Sequence, residues 1–347
     1  MNVKNIYREI SKNRNYWEYY NSQQINAPNI GNKKECCNFI REYINLSEKV
    51  YCNLYKDINN LNRDKDQFPR SSHIVSTFFL GLYFFKRAKC KYIRKNILEK
   101  IGKLSYFSNK REDTDKQFTY IWFMTCLFHD LGYKKEYKGA KIPNHEINDK
   151  NISIPIFFRK VYKKYYEYRK QKEHGIYAGL TFDRDLCEIR SWKKGNTDSE
   201  LYWGEELEEL YHYVAWVILA HNIWMIREGS EREDEYKMNE LNCLILQNEK
   251  FNNVDVYKEY NIKFEDYPLF VFFCIIDSID PIKSPSCLLN VDIKLEKDKT
   301  IIIKSDDSKY IDKLMRLNEW LAPTTKNEEG DTVTIYLSDY PHKTKNV

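Results

Sequence analysis

The chain has 347 residues, 31% of them charged, with 56 Lys and Arg against 51 Asp and Glu for a net charge of +5. That length can bury a sizeable core, and so slight a basic excess over so large a surface does not call for a nucleic-acid partner. Nine scattered cysteines without CxxC spacing argue against a disulfide framework; the N-terminal residues are too polar for a signal peptide, and the longest apolar run, PLFVFFCII, is too short for a bilayer span. The expectation is a cytoplasmic protein with no membrane partner.

In chain order, apolar residues recur at three and four residue spacings over 36–57, 73–88, 117–131, 205–226 and 264–280, which predicts a mainly α fold, a helical bundle over residues 1–285. Between these helices, the polar stretches 132–152 and 181–204 carry Gly132, Gly139, Pro143, Gly195 and Asn196 and read as long loops, of the length that often serves as a lid. After Pro281 and Pro285 the pattern changes. VDIKLEKDKTIIIK alternates as a hairpin turning at Lys297 to Lys299, DSKYIDKLMRLNEWL reads as an amphipathic helix capped at Asp307 or Ser308, and DTVTIYL reads as a strand. Residues 286–347 are therefore expected to form a small α/β appendage.

The apolar helices carry polar residues at positions that face inward. His73 shares a helical face with Thr77, Leu80 and Phe84; His129 and Asp130 end the run FTYIWFMTCLF; and His174 opens EHGIYAGL, whose Gly175, Ala178 and Gly179 permit close packing. His221 continues the stripe of Leu210, Val214, Val217 and Ile218, and Asp277 closes a helix that is apolar all round. Any one of these reads as an ordinary core residue. Six buried polar groups would each need a partner, whereas one shared metal centre satisfies them together. Four imidazoles and two carboxylates exceed a single tetrahedral site and suit two ions bridged by Asp130. Imidazole donors favour Mn, Fe, Co, Ni or Zn over Mg.

The order His73, His129-Asp130, His174, His221, Asp277, in the phrases RSSHIVSTFFLGLYFF, LFHDLGY, EHGIYAGL, AHNIW and PLFVFFCIIDSIDP, resembles the HD-domain superfamily of metal-dependent phosphohydrolases, in the extended branch sometimes labelled HD-CE. The resemblance covers about residues 65 to 285. It implies an α-helical HD fold, one or two divalent metals, and hydrolysis of a phosphoester or phosphoanhydride of a nucleotide or related small molecule by a metal-activated water. By that analogy His73, His129, Asp130 and Asp277 hold the first metal, while His174 and His221 mark a second. Asp130 would be catalytic as the bridging ligand.

Around the motif, Lys134 could neutralise substrate phosphate or be a solvated loop lysine, and His145 falls in the expected lid, where it could touch substrate or simply lie at the surface. His212 lies off the His221 face and reads as structural. Asp277 is preferred to Asp280 as ligand, because the residue before Pro281 sits where the helix ends. Arg70, Arg159 and Arg184 are available anion clamps among which spacing does not select. The run RKVYKKYYEYRKQK would suit single-stranded nucleic acid if its tyrosines stacked bases, and a solvated helix if they packed inward. That run keeps an HD-type nuclease on single-stranded nucleic acid open, and the resemblance to the HD superfamily also allows a di-iron oxygenase or a non-catalytic nucleotide-sensing module beside the phosphohydrolase. If the burial of Asp130 is justified only by a cation, the metal-free chain need not lose stability when that carboxylate is removed.

Overall fold

The computed structural model describes residues 1–17, 25–43, 69–86, 91–104, 114–136, 139–148, 154–194, 205–223, 262–284 and 290–338. The helices are α1 (Val3–Lys12), α2 (Lys33–Tyr43), α3 (Arg70–Lys86), α4 (Lys91–Ile101), α5 (Thr114–Phe128), the single turn α6 (Tyr133–Glu136), α7 (Ile156–Tyr168), α8 (His174–Lys194), α9 (Glu205–Ala220) and α10 (Pro268–Ile279). The chain ends in strands β1 (Val291–Glu296) and β2 (Thr300–Ser305), helices α11 (Ser308–Met315) and α12 (Leu317–Trp320), and strands β3 (Thr324–Lys326) and β4 (Thr332–Tyr336). The protein is mainly helical with a small C-terminal antiparallel sheet.

α3 and α10 explain the centre of the bundle. α3 is buried from Arg70 through Phe85, as expected of a helix that is apolar on nearly every side and so must be enclosed by others. α10 is of the same kind and starts on Pro268 at its first turn, where a missing N–H costs nothing. α3 packs against α1, α2, α5 and α10, and α9 against α5 and α8. Trp122 of α5 donates its indole N–H to the Phe78 carbonyl at 3.0 Å, and an aromatic cluster of Trp17, Phe39, Phe78, Phe79 and Phe123 fills the space where α2, α3 and α5 meet.

One expected loop is a helix. Residues 181–194 continue α8, because Ala178, Phe182 and Leu186 form a buried stripe at four-residue spacing and neither glycine nor proline occurs between Leu180 and Gly195. The intervening Asp183, Arg184, Asp185 and Glu188 disguise that period; on the outer side Arg184 and Glu188 pair at 3.8 Å one turn apart. Gly195 and Asn196 lie outside the described residues, as do positions 44–57 of the first periodic stretch. Of the expected loop 132–152, residues Tyr133–Glu136 form the short α6 and the described part of 139–148 holds no helix or strand.

The hairpin turns with Lys297 and Asp298 at φ 51° and 58°, and Asp307 caps α11 by accepting from the Tyr310 N–H at 3.0 Å. The expected helix over 307–321 is split into α11 and α12, and β3 is an additional strand, giving the order β1-β2-β4-β3. The sheet is fastened to the helices: Met1 and Ile293 exchange backbone hydrogen bonds, and the Tyr310 hydroxyl donates to the Ile279 carbonyl at 2.5 Å. No helix among the described residues is long and apolar enough to cross a membrane.

Candidate metal centre

The bundle brings together all six of His73, His129, Asp130, His174, His221 and Asp277. α3 supplies His73 near its start, the end of α5 runs into His129 and Asp130, α8 opens on His174, His221 follows the last turn of α9, and Asp277 lies in the last turn of α10. His73 Nε2 lies 3.2 Å from His129 Nε2 and 3.0 Å from Asp277 Oδ1, which is 3.4 Å from His129 Nε2. Asp130 sits between the two ends of the cluster. Its Oδ1 is 3.1 Å from His129 Nε2 and 3.7 Å from His174 Nε2, while Oδ2 lies 3.8 Å from His73 Nε2. The His221 ring lies edge-on to both His129 and His174, with centroids 5.3 and 5.2 Å away. Two groups result that could hold a metal ion: His73, His129 and Asp277, and Asp130, His174 and His221.

Each imidazole is held by its other nitrogen. Nδ1 of His73 faces Asp280 Oδ2 at 2.5 Å, that of His129 the Cys126 carbonyl at 2.7 Å, that of His174 Glu136 Oε2 at 2.8 Å, and that of His221 the Ile218 carbonyl at 2.6 Å. A carbonyl or carboxylate accepts the Nδ1 proton, which in a neutral ring leaves a lone pair at Nε2; such backing is the usual support of a metal-ligating histidine. The Nε2 atoms of His73 and His129, 3.2 Å apart, would repel unless a proton or another cation lies with them.

The metal-free electrostatics answer to that arrangement. Burial opposes charge on His129, but the Asp130 and Asp277 carboxylates overcome it and raise its pKa to about 9. Burial, together with the charges of His174 and His129, lowers His221 to about 3. Asp130 is held well below the usual carboxylate range, against burial, by His129 and Arg70; Asp277 likewise by Lys283 and the two nearest histidines.

Several supporting residues were not foreseen. Asp280, fully buried at the end of α10, turns its carboxylate to His73 Nδ1, accepts from the Ser76 hydroxyl, and caps the following turn through the Ile282 N–H. Asp277 therefore faces the cluster while Asp280 braces a histidine from behind. Glu173 accepts from Asn222 Nδ2 with both oxygens, at 3.1 and 2.9 Å, tying the residue before His174 to the one after His221. Lys283 Nζ lies 2.6 Å from Asp277 Oδ1. The adjacency of Glu173 to His174 and of Asn222 to His221 was the available signal.

Of the three arginines considered as anion clamps, Arg70 is the one at the cluster. Its Nη1 donates to Asp130 Oδ2 at 3.0 Å, and its guanidinium lies 3.7 Å from the centroid of Tyr133, which stacks on His174 at 3.8 Å. The burial of Asp130 is thus justified by an arginine as well as by any cation, which revises the expectation for a metal-free chain lacking that carboxylate. Arg159 donates to the Ile154 carbonyl, and Arg184 pairs with Asp185 at 2.5 Å.

Gly132 explains why HD is followed by LG. A methyl there would run into the backbone carbonyl of His174, so the absence of a side chain sets the approach of α8 to the motif. Lys134 lies in α6, with its side chain outside the described residues. His145 is bonded to Asp183 at 2.6 Å, and His212 binds the other oxygen of Asp183 at 2.6 Å. In the basic aromatic run, Tyr162, Tyr165 and Tyr166 are buried and present no faces on which bases could stack, while Tyr168 is half-buried against the core.

Compared with protein-family models, with curated proteins and with solved structures, the chain matches none of them significantly.

Proposed function

We propose that the protein is an HD-type metal-dependent phosphohydrolase that cleaves a phosphoester or phosphoanhydride of a nucleotide or related small molecule. The observation that carries the reading is the shared posture of four histidines, each anchored through Nδ1, gathered around two carboxylates. The Nε2 atoms converge on one another and on the same two carboxylates rather than each on a separate partner, and that convergence is what a donor set for cations requires. In this reading His73, His129 and Asp277 hold one ion, His174 and His221 a second, and Asp130 serves both. The nitrogen-rich set favours Mn, Fe, Co, Ni or Zn over Mg. Such ions, when bound, supply Lewis acidity that lowers the pKa of water and stabilises charge on phosphoryl oxygens.

The chain's own residues complete the chemistry. Arg70, placed over the Tyr133 ring and hydrogen-bonded to Asp130, orients that carboxylate and sets a planar positive charge beside the place a phosphoryl group would occupy. Lys283 balances Asp277. Phe273, with its ring centroid 5.2 Å from that of His129 and 5.5 Å from that of His221, keeps the inner side of the site dry and so strengthens its electrostatics. The motif order and its resemblance to HD enzymes support phosphoryl hydrolysis over other metal chemistry.

The test is a turnover screen on chelator-stripped protein with nucleotides, cyclic nucleotides and single-stranded nucleic acid under each of Mn, Fe, Co, Ni, Zn and Mg. The expected result is hydrolysis with a transition metal well above that with Mg, abolished in His129→Ala. Oxygen uptake with iron and no hydrolysis would replace the reading with an oxygenase. Tight nucleotide binding without turnover under every metal would replace it with a sensing module.

A further inference from the structure

A second cluster of ligand-type side chains lies along the same helix pair. α8 and α9 run antiparallel, with Gly179 of α8 so close to α9 that a Cβ there would stand 2.6 Å from the Ala215 carbonyl. Nine residues on from His174 stands Asp183, and nine residues back from His221 stands His212. At 1.5 Å per residue this places the pair roughly 13 Å along the helices from the first centre. One turn further, Cys187 of α8 meets Glu208 of α9, with Sγ 3.3 Å from Oε1. The segment 139–148 adds His145, whose Nε2 is 2.6 Å from Asp183 Oδ2, opposite His212 Nδ1, 2.6 Å from Oδ1. Candidate ligand atoms of His145, Asp183 and Cys187 lie within 4.8 Å of one another, and so do those of Cys187, Glu208 and His212.

We infer that Asp183, Cys187, His212 and His145 form a second metal site, for one zinc-like ion, which fastens the 139–148 segment to α8 and α9. Two helices each offering ligand-type residues one turn apart, Asp183 with Cys187 and Glu208 with His212, is how helical bundles build metal sites, and four protein ligands make a closed, structural one. Two neutral imidazoles, one carboxylate and one thiolate balance a divalent charge. On binding, the Cys187 thiol gives up its proton to solvent, and each histidine, which now donates to Asp183, keeps a single proton on its other ring nitrogen, any second one going to solvent, so that the nitrogen facing Asp183 is free to face the ion. Sulfur with imidazole selects zinc or cobalt over Mg or Ca. Asp183 is buried and His212 nearly so. No residue is shared with the first centre, and Cys187 is the one sulfur in any of the ligand groups found among the described residues.

That sulfur makes the two sites separable. Chelator-stripped full-length protein is titrated with Co(II) and followed by absorbance and by metal analysis. The expected result is a thiolate-to-cobalt charge-transfer band that saturates at one equivalent, is bleached by Zn(II), persists in His129→Ala and is absent in Cys187→Ser, whose bound metal falls by one equivalent. Because a variant can fail to fold, the wild-type protein supplies a second measurement: alkylation of Cys187, read by peptide mass spectrometry, should slow about tenfold or more with Zn(II) and recover with chelator. Absence of the band in wild type, its persistence in Cys187→Ser, or alkylation unaffected by zinc would each overturn the inference and leave the cluster a hydrogen-bonded network around Asp183.

Discussion

Removing the Asp130 carboxylate should separate its two duties. In the metal-free protein Asp130 is 1% exposed and holds Arg70, itself 7% exposed, at 3.0 Å. Asp130→Ala leaves a buried guanidinium without that partner, a change that typically costs about 3–5 kcal/mol. For a chain of this size, where 1 kcal/mol moves the thermal midpoint by roughly 2 °C, the chelated variant should unfold about 6–10 °C below wild type. Arg70→Met added to Asp130→Ala removes the stranded charge, so the double variant should recover part of that loss rather than lose more. With metal the second duty shows. Wild type at a hundredfold excess over Kd should gain about 2.7 kcal/mol from binding, the variant should gain much less, and its turnover should fall by about 10³ or more, the scale on which well-placed electrostatic groups act. Differential scanning calorimetry with chelator and with Mn(II), paired with the turnover assay, reads all of these. A chelated Asp130→Ala protein within 1 °C of wild type, or a double variant with fully additive losses, would refute the pairing of Arg70 with Asp130 as the reason for its burial.

Asp280→Asn should leave the ligands in place yet slacken His73, weakening metal affinity about 10–100-fold in a competition titration with a chromophoric chelator; unchanged affinity would mean that His73 is positioned by packing alone. Gly132→Ala should destabilise the chain with or without metal, by at least about 2 kcal/mol, because backbone rather than a flexible side chain meets the new methyl, and denaturant unfolding measures it. Lys313 should impose a pH-dependent cost. Burial and the Lys283 charge lower its pKa from 10.5 to about 8, so below pH 8 the folded chain must carry an ammonium that the unfolded chain carries more readily, and the cost fades as pH rises from about 8 to 10.5. Lys313→Met should raise the unfolding free energy of the chelated protein at pH 7 by about 1–2 kcal/mol, discounted for its partly exposed stem, with the gain shrinking by pH 10.5 in denaturant titrations; an equal gain at both pH values would point to packing instead.

The sequence by itself determined the helices that are apolar on most sides, because a run such as RSSHIVSTFFLGLYFF or PLFVFFCIIDSI can satisfy its backbone and hide its surface only as an enclosed helix. It also singled out His73, His129, Asp130, His174, His221 and Asp277, since a polar side chain on such a face needs a reason to be there. Local chemistry reached the hairpin turn at Lys297 and the Asp307 cap as well. What lay beyond it depended on pairs far apart in the chain. Asp280 braces His73 across 207 residues and Arg70 meets Asp130 across 60, and no periodicity encodes either meeting. α8 was hidden beyond residue 180 because the charges that obscure its apolar stripe become intelligible only when α9 lies alongside: Asp183 then faces His212 and Cys187 faces Glu208. Spacing along one helix tells which residues share a face. Which face of which other helix receives it is decided by close packing, at contacts such as Gly132 on the His174 carbonyl and Gly179 on Ala215, and that is a property of the tertiary structure alone.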